Sequence, residues 1–146
     1  MTQVENEVER LIYELQLLEG ASETLQTRIG LVNASMNELQ LANAALEGLK
    51  HEEQGADILV PLGGGAYLKA KIEDVERLII GVGADVAVEK TVGEAQDDVG
   101  ARLLELDKTR ASLRDQLEQA LSRMATVRRR VQEITQQASK GTTENV

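Results

Sequence analysis

Thirteen positions between Val4 and Leu46 step along the chain by four and three residues: Val4, Val8, Leu11, Leu15, Leu18, Ser22, Leu25, Ile29, Val32, Met36, Leu39, Asn43 and Leu46. All but Ser22 and Asn43 are apolar. A 3.5-residue repeat held over six heptads is the signature of a coiled coil, since only a supercoiled helix keeps such a stripe against one partner. Val8, Leu15, Ser22, Ile29, Met36 and Asn43 take the a positions and the others take d. The rhythm returns near the other end as Val99, Leu103, Leu106, Arg110, Leu113, Leu117, Ala120, Met124, Val127, Val131, Ile134 and Ala138, with Arg110 its one interruption. At 1.5 Å per residue each helix is on the order of 60–70 Å long.

Two stripes of nearly equal length are expected to pair with each other. Antiparallel packing sets a against d, and residue numbers totalling 142 bring Val8 to Ile134, Leu15 to Val127 and Leu39 to Leu103. The same register places Ser22 opposite Ala120, so the two smallest seam residues share a layer. It also sets Val32 beside Arg110, whose stem can follow the seam with its guanidinium in solvent. Arg130 and Glu14, both at g, are expected to face each other across the pair. Asn43 at a reads as a register device with Val99 opposite.

Between the stripes the period changes to two. Residues 51–57 read as a linker after a helix over 1–50, because Gly48 and Gly55 fray its end. Four strands are expected over Ile58–Leu62, Tyr67–Ile72, Leu78–Val82 and Val86–Thr91, separated by Gly63-Gly64-Gly65, Glu73-Asp74 and Gly83-Ala84-Asp85. Residues 58–91 therefore form two β-hairpins. Pro61 has no amide hydrogen, which calls for an edge strand or a bulge. A second helix is expected over 92–139 and a disordered tail over 140–146. The fold class is α+β and mainly α: a long antiparallel coiled-coil hairpin with two β-hairpins at its closed end. Two small hairpins with open edges are marginal alone, so their apolar residues are candidate contacts with other subunits. These are Ile58, Val60, Leu62, Tyr67, Leu68, Leu78, Ile80, Val82, Val86 and Val88.

Composition narrows the function. The chain has no Phe, no Trp and no Cys, with a formal charge of −9. Without aromatic bulk its burial suits helix seams. Without cysteine it has no thiol chemistry or disulfides, and its acidity disfavours phosphate backbones. The polar start MTQVENEVER is no signal peptide, and no apolar run reaches the roughly 20 residues of a bilayer span. A cytoplasmic protein, free of membrane and nucleic acid, is expected.

Motifs for catalysis are missing. Gly63-Gly64-Gly65 runs into Ala66-Tyr67-Leu68 rather than the Gly-Lys-Ser/Thr of a phosphate loop. Gly81-Val82-Gly83 lacks the third glycine of a dinucleotide fingerprint and reads as a bulge or close approach. His51-Glu52-Glu53 is no metal motif, as the chain holds one histidine. Arg128-Arg129-Arg130 reads as a solvated face. No enzyme, no metal and no cofactor is expected.

The central segments ILVPLGGGAYLKAKI and LIIGVGADVAVEKTVGEA resemble the α-class subunit of prefoldin. The features that carry this are Val60-Pro61-Leu62-Gly63, Ala66-Tyr67-Leu68-Lys69-Ala70, Gly81-Val82-Gly83 and Val88-Glu89-Lys90. The resemblance implies an ATP-independent chaperone: two such chains join four β-type chains in an α2β4 hexamer, with the hairpins forming a β-barrel platform. Unfolded polypeptides would be held at the coiled-coil tips and passed to a group II chaperonin. Candidate client-binding residues are then Val4, Val8, Leu11, Val131 and Ile134 at the seam ends, with Ile12, Tyr13 and Leu17 beside the seam. The alternative is a coiled-coil scaffold or adaptor that oligomerises through its β-hairpins and binds folded partners.

Overall fold

A computed structural model describes the backbone of residues 2–144, with side chains through residue 141. The element order is α1 (Gln3–Leu49), β1 (Asp57–Gly63), β2 (Ala66–Lys71), β3 (Arg77–Gly83), β4 (Val86–Thr91) and α2 (Val92–Glu144). Both helices open on the same signal, Thr-x-x-Glu. At α1, Glu5 N donates to Thr2 Oγ1 and Thr2 N donates back to the Glu5 carboxylate, each at 3.2 Å. At α2, Glu94 N donates to Thr91 Oγ1 at 3.1 Å. First-turn amides have no carbonyl partner within a helix, and these side chains supply one. α1 ends by tightening: Lys50, His51 and Glu52 donate to carbonyls three residues back. Gly55 then takes a positive φ of 86°, and its amide bonds Ile72 O at 2.7 Å.

Two compact units follow from the contacts: Met1–Asn33 with Lys108–Val146, and Ala34–Asp107. In the first, α1 and α2 run antiparallel around a core of Leu11, Val127 and Ile134, with Val8, Leu15, Leu18 and Val131 packed against it. These are a and d residues, so the heptads built the seam they foretold. Val127 is 1 % exposed. Ser22 is buried as well, as the register with Ala120 requires.

Ion pairs along the flanks share that register. Arg130 Nη2 lies 3.3 Å from Glu7 Oε1, and Arg123 binds Glu14 through Nε at 2.6 Å and Nη2 at 3.1 Å. Both pairs join g to g and their numbers total 137. Arg128 Nη2 lies 3.5 Å from Glu19 Oε1, an e-to-e pair totalling 147. In an antiparallel pair whose seam totals 142, g contacts fall five below and e contacts five above. The expected Glu14–Arg130 contact is therefore corrected by one heptad: Glu14 takes Arg123, and Arg130 takes Glu7. Arg110 also departs from expectation. Its guanidinium is not turned to solvent; Nη1 donates to Asn33 Oδ1 at 3.1 Å in a part-buried site.

In the second unit, Gln96 Nε2 donates to Glu47 Oε2 at 2.9 Å, joining the end of α1 to the start of α2. Asn43 is exposed here and takes no buried register role. Val92 and Ala95 are buried at the strand-to-helix junction, and Ile72 is buried just after β2. Strands β1 and β2 form one antiparallel sheet, and β3 and β4 form another. The hairpins repeat each other at an offset of twenty residues: Asp57 pairs with Lys71 as Arg77 pairs with Thr91, and Val60 with Leu68 as Ile80 with Val88. Each carries a bulge just before its turn, after Pro61 in one and after Gly81 in the other. Pro61 accordingly lies beside a bulge, and Gly81-Val82-Gly83 forms one.

Several element boundaries differ from the sequence reading. The strands include Asp57, Gly63, Ala66, Arg77 and Gly83 beyond the expected limits, while Ile72 falls outside β2. More substantially, α2 does not stop at residue 139 but continues to Glu144, because no proline cuts its hydrogen-bond ladder and the glycine at 141 costs only about 1 kcal/mol. Residues 145 and 146 of the expected disordered tail lie outside the described residues.

Candidate functional site

The two edges of the terminal helix pair are unlike. The g edge is closed by Glu7–Arg130 and Glu14–Arg123. Along the e edge the seam is open beyond the Glu19–Arg128 pair. A cleft of about 350 Å³ is lined by Val4, Glu5, Val8, Glu9, Ile134, Thr135 and Ala138. A second of about 350 Å³, sharing Thr135, is lined by Ile12, Leu15, Arg128, Val131, Gln132 and Gln136. Thr135 spends its hydroxyl on Val131 O at 2.8 Å, so its hydrogen-bonding group is satisfied locally. The Glu19–Arg128 pair marks the inner end of this apolar groove.

The eight candidate client residues divide accordingly. Val4, Val8, Ile12, Val131 and Ile134 line the groove, and Leu11 is buried within the seam. Tyr13 and Leu17, 63 % and 57 % exposed, do not line it. Sequence reasoning missed Leu15, Thr135 and Ala138 as groove residues. Their signal was weak, because the opening depends on which side chains of both helices stand side by side.

Arg123 is also the chief cause of the low Glu14 pKa: its hydrogen bonds hold the carboxyl below the ordinary glutamate value. Glu14 in turn raises the Arg123 pKa. Glu47 is lowered first by its bond from Gln96 and then by Lys50. Nothing in these shifts resembles a poised acid or base, and no group of three His, Cys, Asp or Glu is arranged for a metal among the described residues. No described helix is long and apolar enough to cross a membrane.

The strands expose apolar side chains on both faces. Of the candidate contact residues, Ile58, Val60, Leu62, Tyr67, Leu68, Val82 and Val86 are exposed, while Leu78, Ile80 and Val88 are half-buried. Leu59 and Ile79, absent from that set, are 61 % and 78 % exposed. The continuous runs Ile58-Leu59-Val60 and Leu78-Ile79-Ile80 were the available signal, since strands covered on both faces do not alternate.

A chain that closes its own helical seam while leaving apolar strands bare is a subunit of a larger assembly. It belongs to the prefoldin family: the family model for a prefoldin subunit matches residues 18–137. It is 36 % identical to prefoldin subunit alpha of Pyrococcus horikoshii, with 95 % of each chain covered. To prefoldin subunit alpha of Methanopyrus kandleri it is 35 % identical, over 79 % of this chain and 73 % of that one. Its fold matches a solved chain of filamentous prefoldin from Methanocaldococcus jannaschii with a TM-score of 0.68, at 23 % identity, over 79 % of this chain and 95 % of that one. Prefoldin α subunits are chaperones that deliver unfolded proteins to chaperonins and assemble into oligomeric complexes.

Proposed function

We propose that this chain is an ATP-independent holdase subunit that joins β-type subunits in an α2β4 hexamer. Its hairpins pair with partner strands to form a β-barrel platform, and its helical arms hold unfolded polypeptides for a group II chaperonin in the cytoplasm. The observation that supports this most is the open apolar groove on the e edge, beside an ion-paired g edge that needs no partner. Such a groove offers weak and sequence-tolerant contact. Several arms around one client raise the effective concentration at each remaining site, so weak contacts suffice. Tyr13 and Leu17 extend the apolar surface around the arm. A scaffold that binds folded partners is less favoured, because the relatives of this chain are chaperone subunits.

The test is suppression of aggregation of a chemically denatured protein by the hexamer reconstituted with a β-type subunit. Deleting residues before Leu15 and after Val127 removes the groove and is expected to abolish protection while native mass still shows α2β4. Equal protection by the shortened hexamer would refute capture at the arm ends.

A further inference from the structure

The groove is not electrically uniform. Its outer cleft carries Glu5 and Glu9 and no basic side chain. The inner cleft carries Arg128, which is already paired with Glu19. Glu5 and Glu9 stand four residues apart on one helix, where like charges repel and weaken the helix. Along the same helix Glu7, Glu14 and Glu19 each have an arginine across the pair. Among the described residues, no basic side chain is paired with Glu5 or Glu9 at the mouth of the groove. Glu5 serves the N-cap through its carboxylate, but a neutral glutamine serves a capping box equally well, so the cap does not require the charge. Both carboxylates nevertheless border the apolar cleft, where they are placed to meet a bound cation.

We propose that Glu5 and Glu9 make this groove selective for unfolded segments in which a short apolar run adjoins lysine or arginine. The apolar side chains occupy the cleft between Val8 and Ile134, and the cation lies against the two carboxylates. Charge complementarity decides this occupant over an acidic apolar segment, which would face repulsion from both carboxylates. A second folded helix is a poorer fit, because a stable interface needs roughly 800 Å² from each partner and the two small clefts do not provide it. The inference rests on the holdase reading and adds a preference to it.

The experiment uses the reconstituted full-length hexamer and fluorescently labelled peptides, each with four leucines followed by either three lysines or three glutamates. Binding is followed by anisotropy at low ionic strength. The lysine peptide is expected to bind about two- to tenfold more tightly, the range of one or two solvated ion pairs. That advantage is expected to vanish in the double variant Glu5→Gln/Glu9→Gln and to persist in Glu52→Gln/Glu53→Gln, which removes equal charge from the segment after α1. Equal binding of both peptides by the unaltered hexamer overturns the selectivity while leaving capture intact. Loss of the advantage in the Glu52/Glu53 variant also overturns it, since the attraction would then come from net charge alone. Binding of neither peptide, together with no suppression of aggregation, overturns the selectivity and the holdase reading together.

Discussion

The helix pair and the β-hairpins are built from the same aliphatic residues yet end in opposite states. In the seam, Val127 is sealed by Leu11 and Ile134 from the same chain. In the hairpins, Leu59, Tyr67 and Ile79 stay exposed although each of their strands is paired within the chain. The difference lies in how each element satisfies itself. A helix completes its backbone hydrogen bonds internally and needs one matching stripe, which the second helix provides. A two-stranded sheet leaves two open edges and two uncovered faces, and only further strands can cover them. Stability of the seam and assembly through the hairpins should therefore separate under mutation.

The largest effect is expected from Val127→Asp, which places an unpaired charge in the seam. It should lower stability by about 3 kcal/mol or more, read from urea unfolding followed by helical circular dichroism. Ile79→Asp is the counterpart in the exposed strand. It should change unfolding of the isolated chain by no more than about 0.5 kcal/mol yet prevent assembly with β-type chains in native mass measurements. If Ile79→Asp assembles normally, the bare strand face is not a subunit contact.

A smaller change tests the hairpins against each other. Their turns share one backbone geometry, with positive φ at Gly64 and Gly65 in one and at Ala84 (50°) and Asp85 (60°) in the other. This is the mirror-image two-residue turn that matches the twist of paired strands. Alanine is strained there, so Ala84→Gly should stabilise the second hairpin by up to about 1 kcal/mol. Amide exchange of Leu78 through Thr91 should slow accordingly; faster exchange would contradict the strain.

The mildest perturbation is acid. The folded-state pKa of Glu14 lies below its ordinary value of 4.5, so its contribution is complete above that value and is lost as pH falls through the lower folded pKa. Glutamine at position 14 should remove this part of the acid dependence while leaving stability above pH 5 only slightly changed. An unaltered acid profile in Glu14→Gln would show that the Arg123 pair contributes nothing to it.

Much of the fold was legible because its signals were periodic. The heptads fixed the helices, and the Ser22–Ala120 layer chose a register that three flank ion pairs now share. The Glu14–Arg130 contact was misplaced because letters alone name an edge, while the partner along that edge follows from the offset of flank positions. Arg110 was sent to solvent because Asn33, outside the seam series, was not weighed as its acceptor. The end of α2 was hidden by the polar residues after Ala138, which lack a stripe but still extend a helix. The groove was hardest to foresee. It depends on which side chains of the two helices stand at matched heights, and neither stripe contains that information alone.

Hydrogen exchange measured on the full chain, alone and then with a β-type subunit, tests the contrast between seam and hairpins most directly. The expected result is slow exchange from Leu11 to Met36 and from Leu113 to Ile134 in both states. Strands β1 to β4 should exchange quickly alone and become protected only on assembly. Strands equally protected in the isolated chain, or a seam that gains protection only with the partner, would contradict it.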